Sequence, residues 1–408
     1  MNRGVRFQAF FTKRFPTFRS TNILLYYFLT IFMNGWFILP NWVFYFSRFI
    51  SIPQIGIIDG LSKLVAVVLE VPSGAVSDLL GKKNTLIFGN ISIVASCLVL
   101  MFASTFPLLL LGNIFMFIGF AFISGSKEAI LYDSMIDMKK ERHYDEVLGK
   151  VNSIATCVTI CSIFIGGVLY GIHPKLTFFA WMMFGVIATT LLFFMKEPKS
   201  DSEHVSYATY ISKLKTGVTS IFKQPVFTFI LPVLFFPMLV HSYEGVIRQN
   251  TGAYFGFNGE TFGYLLALIF IPTLFVTYNY KKIIDICKDH IEHVFMALYT
   301  IGFFLVYIFR SMSVGVVSFL FIYIAQELVK PYVVSLVNKN TQSKHRATAL
   351  STVSLFSEFP YIVLVMFGGS LIQVDRIKYL YVLLCGALLT YSVVRGLGAE
   401  IKVEKEQK

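Results

Sequence analysis

The chain has 408 residues, of which 56% are hydrophobic and only 14% charged, and its mean hydropathy is +0.69. So little charge excludes a soluble two-domain protein, which would lack the polar surface to cover itself. The formal charge of +12 raises nucleic acid or anionic lipid as partners. The lysines and arginines cluster in alternate loops, however, so the excess is assigned to membrane topology and no nucleic-acid partner is expected.

Serial apolar runs of about 20 residues predict an all-α membrane protein with twelve transmembrane helices. A basic cytoplasmic arm, 1–21, carries Arg3, Arg6, Lys13, Arg14 and Arg19. No small-residue cleavage site precedes the first long run, so no removable signal peptide is expected. The first six spans are predicted at 22–46, 55–79, 84–105, 107–135, 148–172 and 175–195. The polar segment 196–224 follows, and within it Tyr207 to Phe222 sets apolar residues at helical spacing with lysines between them. That pattern predicts an amphipathic helix lying on the membrane surface. Spans 7 to 12 are predicted at 225–247, 260–280, 291–310, 313–337, 347–372 and 376–396, before a tail at 397–408.

Basic residues orient the chain. The arm, Lys82/Lys83, Lys139/Lys140/Arg142, the 196–224 segment, Lys281/Lys282/Lys288, Lys339/Lys344/Arg346 and the tail share one side. The other side holds only Arg48, Lys175, Arg248, Arg310, Arg376 and Lys378. Both termini are therefore expected to be cytoplasmic, with the protein integral to the plasma (inner) membrane. The five cysteines, Cys97, Cys157, Cys161, Cys287 and Cys385, lie in apolar runs without metal-type spacing. No metal and no cofactor are expected.

Two spans meet in a tight turn at Glu70 to Leu86, EVPSGAVSDLLGKKNTL. Gly74 and Gly81 are expected to allow close approach there, while Lys82 and Lys83 mark one membrane face. This stretch resembles the G-x-L-x-D-x-x-G-R-K loop of the major facilitator superfamily. Gly74, Val76, Asp78, Gly81, Lys82 and Lys83 take its places, with Val76 for the usual leucine and Lys82 for the arginine. Ser124-Gly-Ser-Lys-Glu128-Ala-Ile-Leu-Tyr132-Asp133-Ser134, Arg346-Ala-Thr-Ala-Leu-Ser351 and Glu70-Val-Pro-Ser-Gly resemble runs of a bacterial drug- or metabolite-type subgroup. The resemblance implies two pseudo-symmetric six-helix halves, 22–195 and 225–396. A faint second copy of the turn, Asp285-Ile-Cys-Lys-Asp-His, places Lys288 where the first has Gly81. Two drug-antiporter signatures are missing: Phe115 stands where helix 4 would carry arginine, and Ile165-Gly166-Gly167 lacks the proline of helix 5.

A carboxylate inside a bilayer costs a few kcal/mol or more, so each needs a partner or a job. Glu70, Glu327 and Glu358 fall near mid-span and are candidates for proton coupling, because burial favours a carboxyl that binds and releases protons. The alternative for each is an ion pair that fixes packing, and Lys330, one turn from Glu327, is the obvious partner there. Glu358 is the foremost candidate. Asp59 with Lys63, and Glu244 with Arg248, are i,i+4 pairs, the second expected at a solvated helix end. The resemblance implies a cytoplasmic gate of Gly74, Asp78, Gly81, Lys82, Lys83, Asp133 and Arg346, with Asp78 meeting Arg346 in one state of the cycle. It also implies a substrate cavity, for which Asn34, Trp36, Asn41, Trp42, Glu128, Tyr243 and Lys330 are the candidates.

The expected function is secondary transport of a small organic solute by alternating access, proton-coupled, as a functional monomer. Efflux of drug-like or amphiphilic compounds leads, and uptake of a metabolite such as a sugar or nucleoside is the alternative. A non-transporting receptor or partner subunit on the same scaffold is the rival from another class. No enzyme motif or phosphate-cradling loop with lysine occurs, so neither enzyme chemistry nor ATP-driven pumping is expected.

Overall fold

The computed structural model describes residues 21–198, 219, 224–341 and 346–407. The basic arm and, save for residue 219, the amphipathic helix expected over 207–222 lie outside the described residues. The helices are, in order, α1 (Thr21–Met33), α2 (Trp42–Phe46), α3 (Ile52–Leu80), α4 (Lys82–Phe102), α5 (Phe106–Ile123), α6 (Ser126–Asp137), α7 (Tyr144–Ile172) and α8 (Lys175–Phe194). After the linker come α9 (Leu231–His241), α10 (Gly245–Tyr254), α11 (Gly259–Tyr278), α12 (Tyr280–Cys287), α13 (Ile291–Ile308), α14 (Met312–Asn340), α15 (Arg346–Phe367) and α16 (Ile377–Gln407).

Among the described residues nine spans are long and apolar enough to cross a membrane, and α9 with α10 forms a tenth, bent by 56°. The shorter apolar stretches Asn22–Met33 and Thr352–Phe367 stand at spans 1 and 11. The architecture is all-α with twelve transmembrane helices.

Three spans are broken where continuous helix was expected. Span 1 leaves helical form over 34–41, where Gly35 and Pro40 interrupt it and short turns such as Leu39 N–H to Trp36 O (3.1 Å) replace the ladder. Span 4 breaks at Ser124–Gly125, with Gly125 at φ +74°. Span 7 breaks at 242–244 and runs on to Tyr254, beyond the expected 247. Span 11 ends at Phe367 rather than 372, and α16 continues to Gln407, past the expected end at 396.

The chain divides into two compact units, one of Met1–Leu39 and Ser62–Tyr207, the other of Pro40–Leu61 and Ala208–Lys408. The stretch 40–61, part of the first half by sequence, therefore packs with the second unit. In the first unit, α4 turns small and polar residues inward (Thr85, Gly89, Ser96) and large apolar ones outward (Phe88, Ile91, Leu98, Phe102). Leu86, Ile93 and Leu100 are buried beside the small residues, and the outward apolar face suits a surface solvated by lipid. A Cβ on Gly89 would lie 2.9 Å from the Gly119 carbonyl oxygen, and one on Gly119 2.6 Å from that of Gly89. Backbone contact thus sets the α4–α5 packing. The second unit repeats the device between α13 and α14, where Ser318 Oγ donates to Gly302 O at 2.8 Å.

Candidate functional site

In the first unit, Gly81 joins α3 to α4 at φ +88°, a conformation L side chains rarely adopt. A Cβ there would also come within 2.9 Å of the Glu197 carboxyl carbon. The Glu197 carboxylate accepts the N–H groups of Lys82 (2.6 Å) and Lys83 (2.8 Å), so an anion caps the free amides that open α4. Lys82 Nζ pairs with the Asp133 carboxylate on α6, and both side chains are largely buried. Lys83 Nζ donates to Phe193 O at the end of α8 (3.0 Å). Asn22 on α1 closes the ring, exchanging hydrogen bonds with the Lys196 carbonyl (2.8 Å) and N–H (2.9 Å).

The turn thus ties together the ends of α1, α4, α6 and α8. Around Gly74 a Cβ would meet nothing within 4 Å among the described residues. The side chains of Asp78 and Arg346 lie outside the described residues. In the second unit Lys288, counterpart of Gly81, also has positive φ (+46°), although its ψ of −124° differs from the +152° of Gly81.

The expected cavity residues are drawn from both units. Asn34 and Trp36 sit in the break of span 1 rather than on helix. Asn34 Nδ2 donates to Thr30 O (2.6 Å), while Trp36 lies against Phe120 and Trp181, with ring centroids at 5.3 and 5.8 Å. Glu128 is exposed in the first turn of α6, just past the span 4 break. Asn41 and Trp42 are buried in the second unit, where Trp42 packs on Phe46.

In the second unit, four consecutive polar residues follow the bend of span 7. Gln249 Oε1 accepts the Val43 N–H (2.9 Å), Asn250 Nδ2 donates to Ile372 O (2.7 Å), and Thr251 Oγ1 shares a hydrogen bond with the Tyr381 hydroxyl (2.5 Å). Arg248 does not end in solvent as expected. Its Nη1 donates to the Tyr323 hydroxyl on α14 (3.3 Å), and its Nε is fully buried. Tyr243, also fully buried, stands within the bend, its ring centroid 6.3 Å from that of Tyr323.

The three candidate carboxylates differ. Glu70 is exposed, a turn beyond the midpoint of α3. Glu327, one turn along α14 from Tyr323, pairs with Lys330 (2.8 Å) and accepts from Thr277 Oγ1 (3.2 Å). Glu358 is half-buried at mid-helix on α15, with no hydrogen bond or ion pair among the described residues.

One network was not anticipated. Glu292 at the start of α13 accepts from the hydroxyls of Tyr332 and Tyr391 and pairs with Arg395 Nη2 (3.2 Å). Arg395 is 103 residues away, and no local spacing signals such a pair. Among the described residues no cluster of three or more His, Cys, Asp or Glu suited to a metal ion occurs.

A sequence model of the Major Facilitator Superfamily matches residues 23–278. The chain belongs to this family. It is a multi-pass membrane protein with the facilitator fold, a family of transporters rather than enzymes, and the Lys82 turn lies inside the matched region. No curated protein matches the chain. Among solved structures, the nucleoside transporter NupG is similar over 93% of this chain and 98% of its own, with TM-score 0.70 at 13% identity. A bacterial homologue of the iron transporter ferroportin, in an inward-facing state, is similar over 93% and 97%, with TM-score 0.65 at 13% identity. A D-xylose-proton symporter is similar over 91% and 96%, with TM-score 0.62 at 14% identity. At such identities the likeness to these facilitators is one of fold.

Proposed function

We propose that the protein is a proton-coupled secondary transporter of a small organic solute, working by alternating access in the plasma membrane with both termini cytoplasmic. The observation that carries this reading is Glu358, a half-buried carboxylate at the middle of an apolar helix with no partner among the described residues. Such a group costs several kcal/mol to place in a bilayer and is retained where it has work to do, such as taking up and releasing a proton. The ring of contacts around Gly81, Lys82, Asp133 and Glu197 is the cytoplasmic gate element of the first unit.

Export of an amphiphilic compound is favoured by the aromatic face of Trp36, Phe120 and Trp181. Uptake of a metabolite is the second reading, and the solutes named for NupG and the D-xylose symporter enter the test for that reason. The test is flux across proteoliposomes under an imposed pH gradient, with lipophilic compounds, sugars and nucleosides as solutes. Gradient-driven movement that Glu358→Gln abolishes supports the reading, and its direction relative to the proton separates export from uptake. Flux indifferent to pH removes the proton.

A further inference from the structure

Resting on the reading of the chain as a solute transporter, we propose that Arg248 is an anion subsite, and that the transported solute carries a carboxylate or phosphate. Of the four polar residues after the bend of span 7, three are consumed by packing: Gln249 by Val43, Asn250 by Ile372 and Thr251 by Tyr381. Arg248 is the exception. Its one side-chain hydrogen bond among the described residues, at 3.3 Å, goes from Nη1 to a neutral phenol. Among the described residues no carboxylate pairs with it. Glu244, one turn earlier, instead lies 3.4 Å from His241 Nδ1.

The fork geometry makes this specific. A guanidinium grips a planar acid through the parallel N–H bonds of Nε and Nη2, and Nη1 is not part of that edge. Here Nη1 is the nitrogen engaged by Tyr323. Nε is fully buried without a partner, and Nη2, also without one, keeps some exposed surface. The Tyr323 bond therefore orients the guanidinium and leaves its two-pronged edge, of which Nε is occluded in this state, without an acceptor among the described residues.

The Tyr243 hydroxyl, buried at the bend, makes no well-formed hydrogen bond among the described residues and has the Tyr381 hydroxyl beside it, so a solute acceptor there would compete with Tyr381. Glu244 balances the Arg248 charge only through space, without an ion pair among the described residues, and charged groups within membrane spans pair or mark substrate paths. Bent or broken spans supply such sites in transporters.

The test uses the purified full chain and charge-matched probe pairs: uridine monophosphate with uridine, glucose 6-phosphate with glucose, and phenylacetate with phenylacetamide. Thermal-unfolding midpoints and proteoliposome flux are read for each. At least one acid is expected to raise the midpoint where its neutral partner does not, and the pair that responds separates phosphate from carboxylate. Arg248→Lys keeps the charge but loses the fork, and should weaken that acid about tenfold. Arg248→Gln should abolish the shift.

Equal response to both members of every pair, no response to any acid, or an acid response unchanged in Arg248→Gln overturns the proposal. So does a shift reproduced in full by chloride, which would make the site a structural ion position. Flux of a neutral solute undiminished in Arg248→Gln overturns the subsite while transport stands. An Arg248-dependent acid shift with no flux under any gradient leaves the subsite and removes the transport reading.

Discussion

The Tyr361 hydroxyl donates to the Asp59 carboxylate across 302 residues of sequence, and accepts the Val246 N–H at 3.2 Å in the same place. One hydroxyl thus links the start of α3, the first turn of α10 and the middle of α15. Gly245, at φ +49°, packs beneath it, and a Cβ there would fall 2.3 Å from the Tyr361 oxygen. Asp59 is nearly fully buried, and the amides at the N-terminus of α10 favour an anion beside them. Tyr361→Phe should cost about 1.5–3 kcal/mol, the range for a hydrogen bond to a charged group, read as a lowered unfolding midpoint. Combined with Asp59→Asn the loss should be less than additive, and strict additivity would show that the two side chains do not act together.

Gly56 and Gly60 flank Asp59 at the spacing that lets membrane helices touch. A Cβ on Gly56 would lie 2.2 Å from the Val365 carbonyl oxygen, and one on Gly60 2.3 Å from Met366 Cγ. Alternating access, as proposed, requires this contact to open once per cycle. Gly56→Val should hold it open, exposing a cysteine placed at Met366 in a cysteine-free background to faster alkylation and slowing transport. Unchanged labelling would make the contact static packing.

The two turns at Gly81 and Lys288 share positive φ but not the residue suited to it. A side chain held in such a conformation costs of order 1–3 kcal/mol. Lys288→Gly should therefore raise the unfolding midpoint, worth about 1 kcal/mol. Gly81→Ala should lower it, both by strain and by displacing the Glu197 carboxylate from the α4 amides. If Gly81→Ala were neutral, the Glu197 cap would not depend on this glycine.

These residues also mark what was legible in the sequence. The spans were, because a bilayer demands about 20 apolar residues whatever their neighbours. The Lys82 turn was legible because its glycine, lysines and aspartate are close in sequence. The breaks at Ser124–Gly125 and at 242–244 were not, since short polar interruptions inside apolar runs look the same on a continuous helix. Glu197 reads as the start of a polar linker until Lys82 and Lys83, more than a hundred residues earlier, fold against it. Arg248 was expected at a solvated helix end because α10 continues the span by two turns that hydropathy did not include. Asp59 with Tyr361 and Glu292 with Arg395 are pairings only tertiary structure creates.

Lys82 and Asp133 pair with side chains 14% and 8% exposed, so removing Lys82 strands the Asp133 charge. Lys82→Met alone should cost about 3–5 kcal/mol, whereas Lys82→Met with Asp133→Leu should recover most of that stability. If the pair belongs to the proposed gate, transport should remain impaired in the double variant although the fold is restored. A double variant that transports like the unmodified protein would reduce the pair to a packing element.

Glu327 and Glu358 make opposite predictions from similar positions on their helices. Glu327 has Lys330 and Thr277 as partners, so its charge is balanced locally. Glu358 has neither among the described residues, and the proposed reading makes it the coupling site. Glu358→Gln should abolish solute accumulation driven by a pH gradient yet spare counterflow, the exchange of labelled for unlabelled solute that needs no net proton movement. Glu327→Gln should keep the gradient response and lower stability, because Lys330 loses its partner. Both fluxes are read in the same proteoliposomes, so a folding defect shows in both and a coupling defect in one. Loss of gradient response in Glu327→Gln with Glu358→Gln unaffected would move the proton site from α15 to α14.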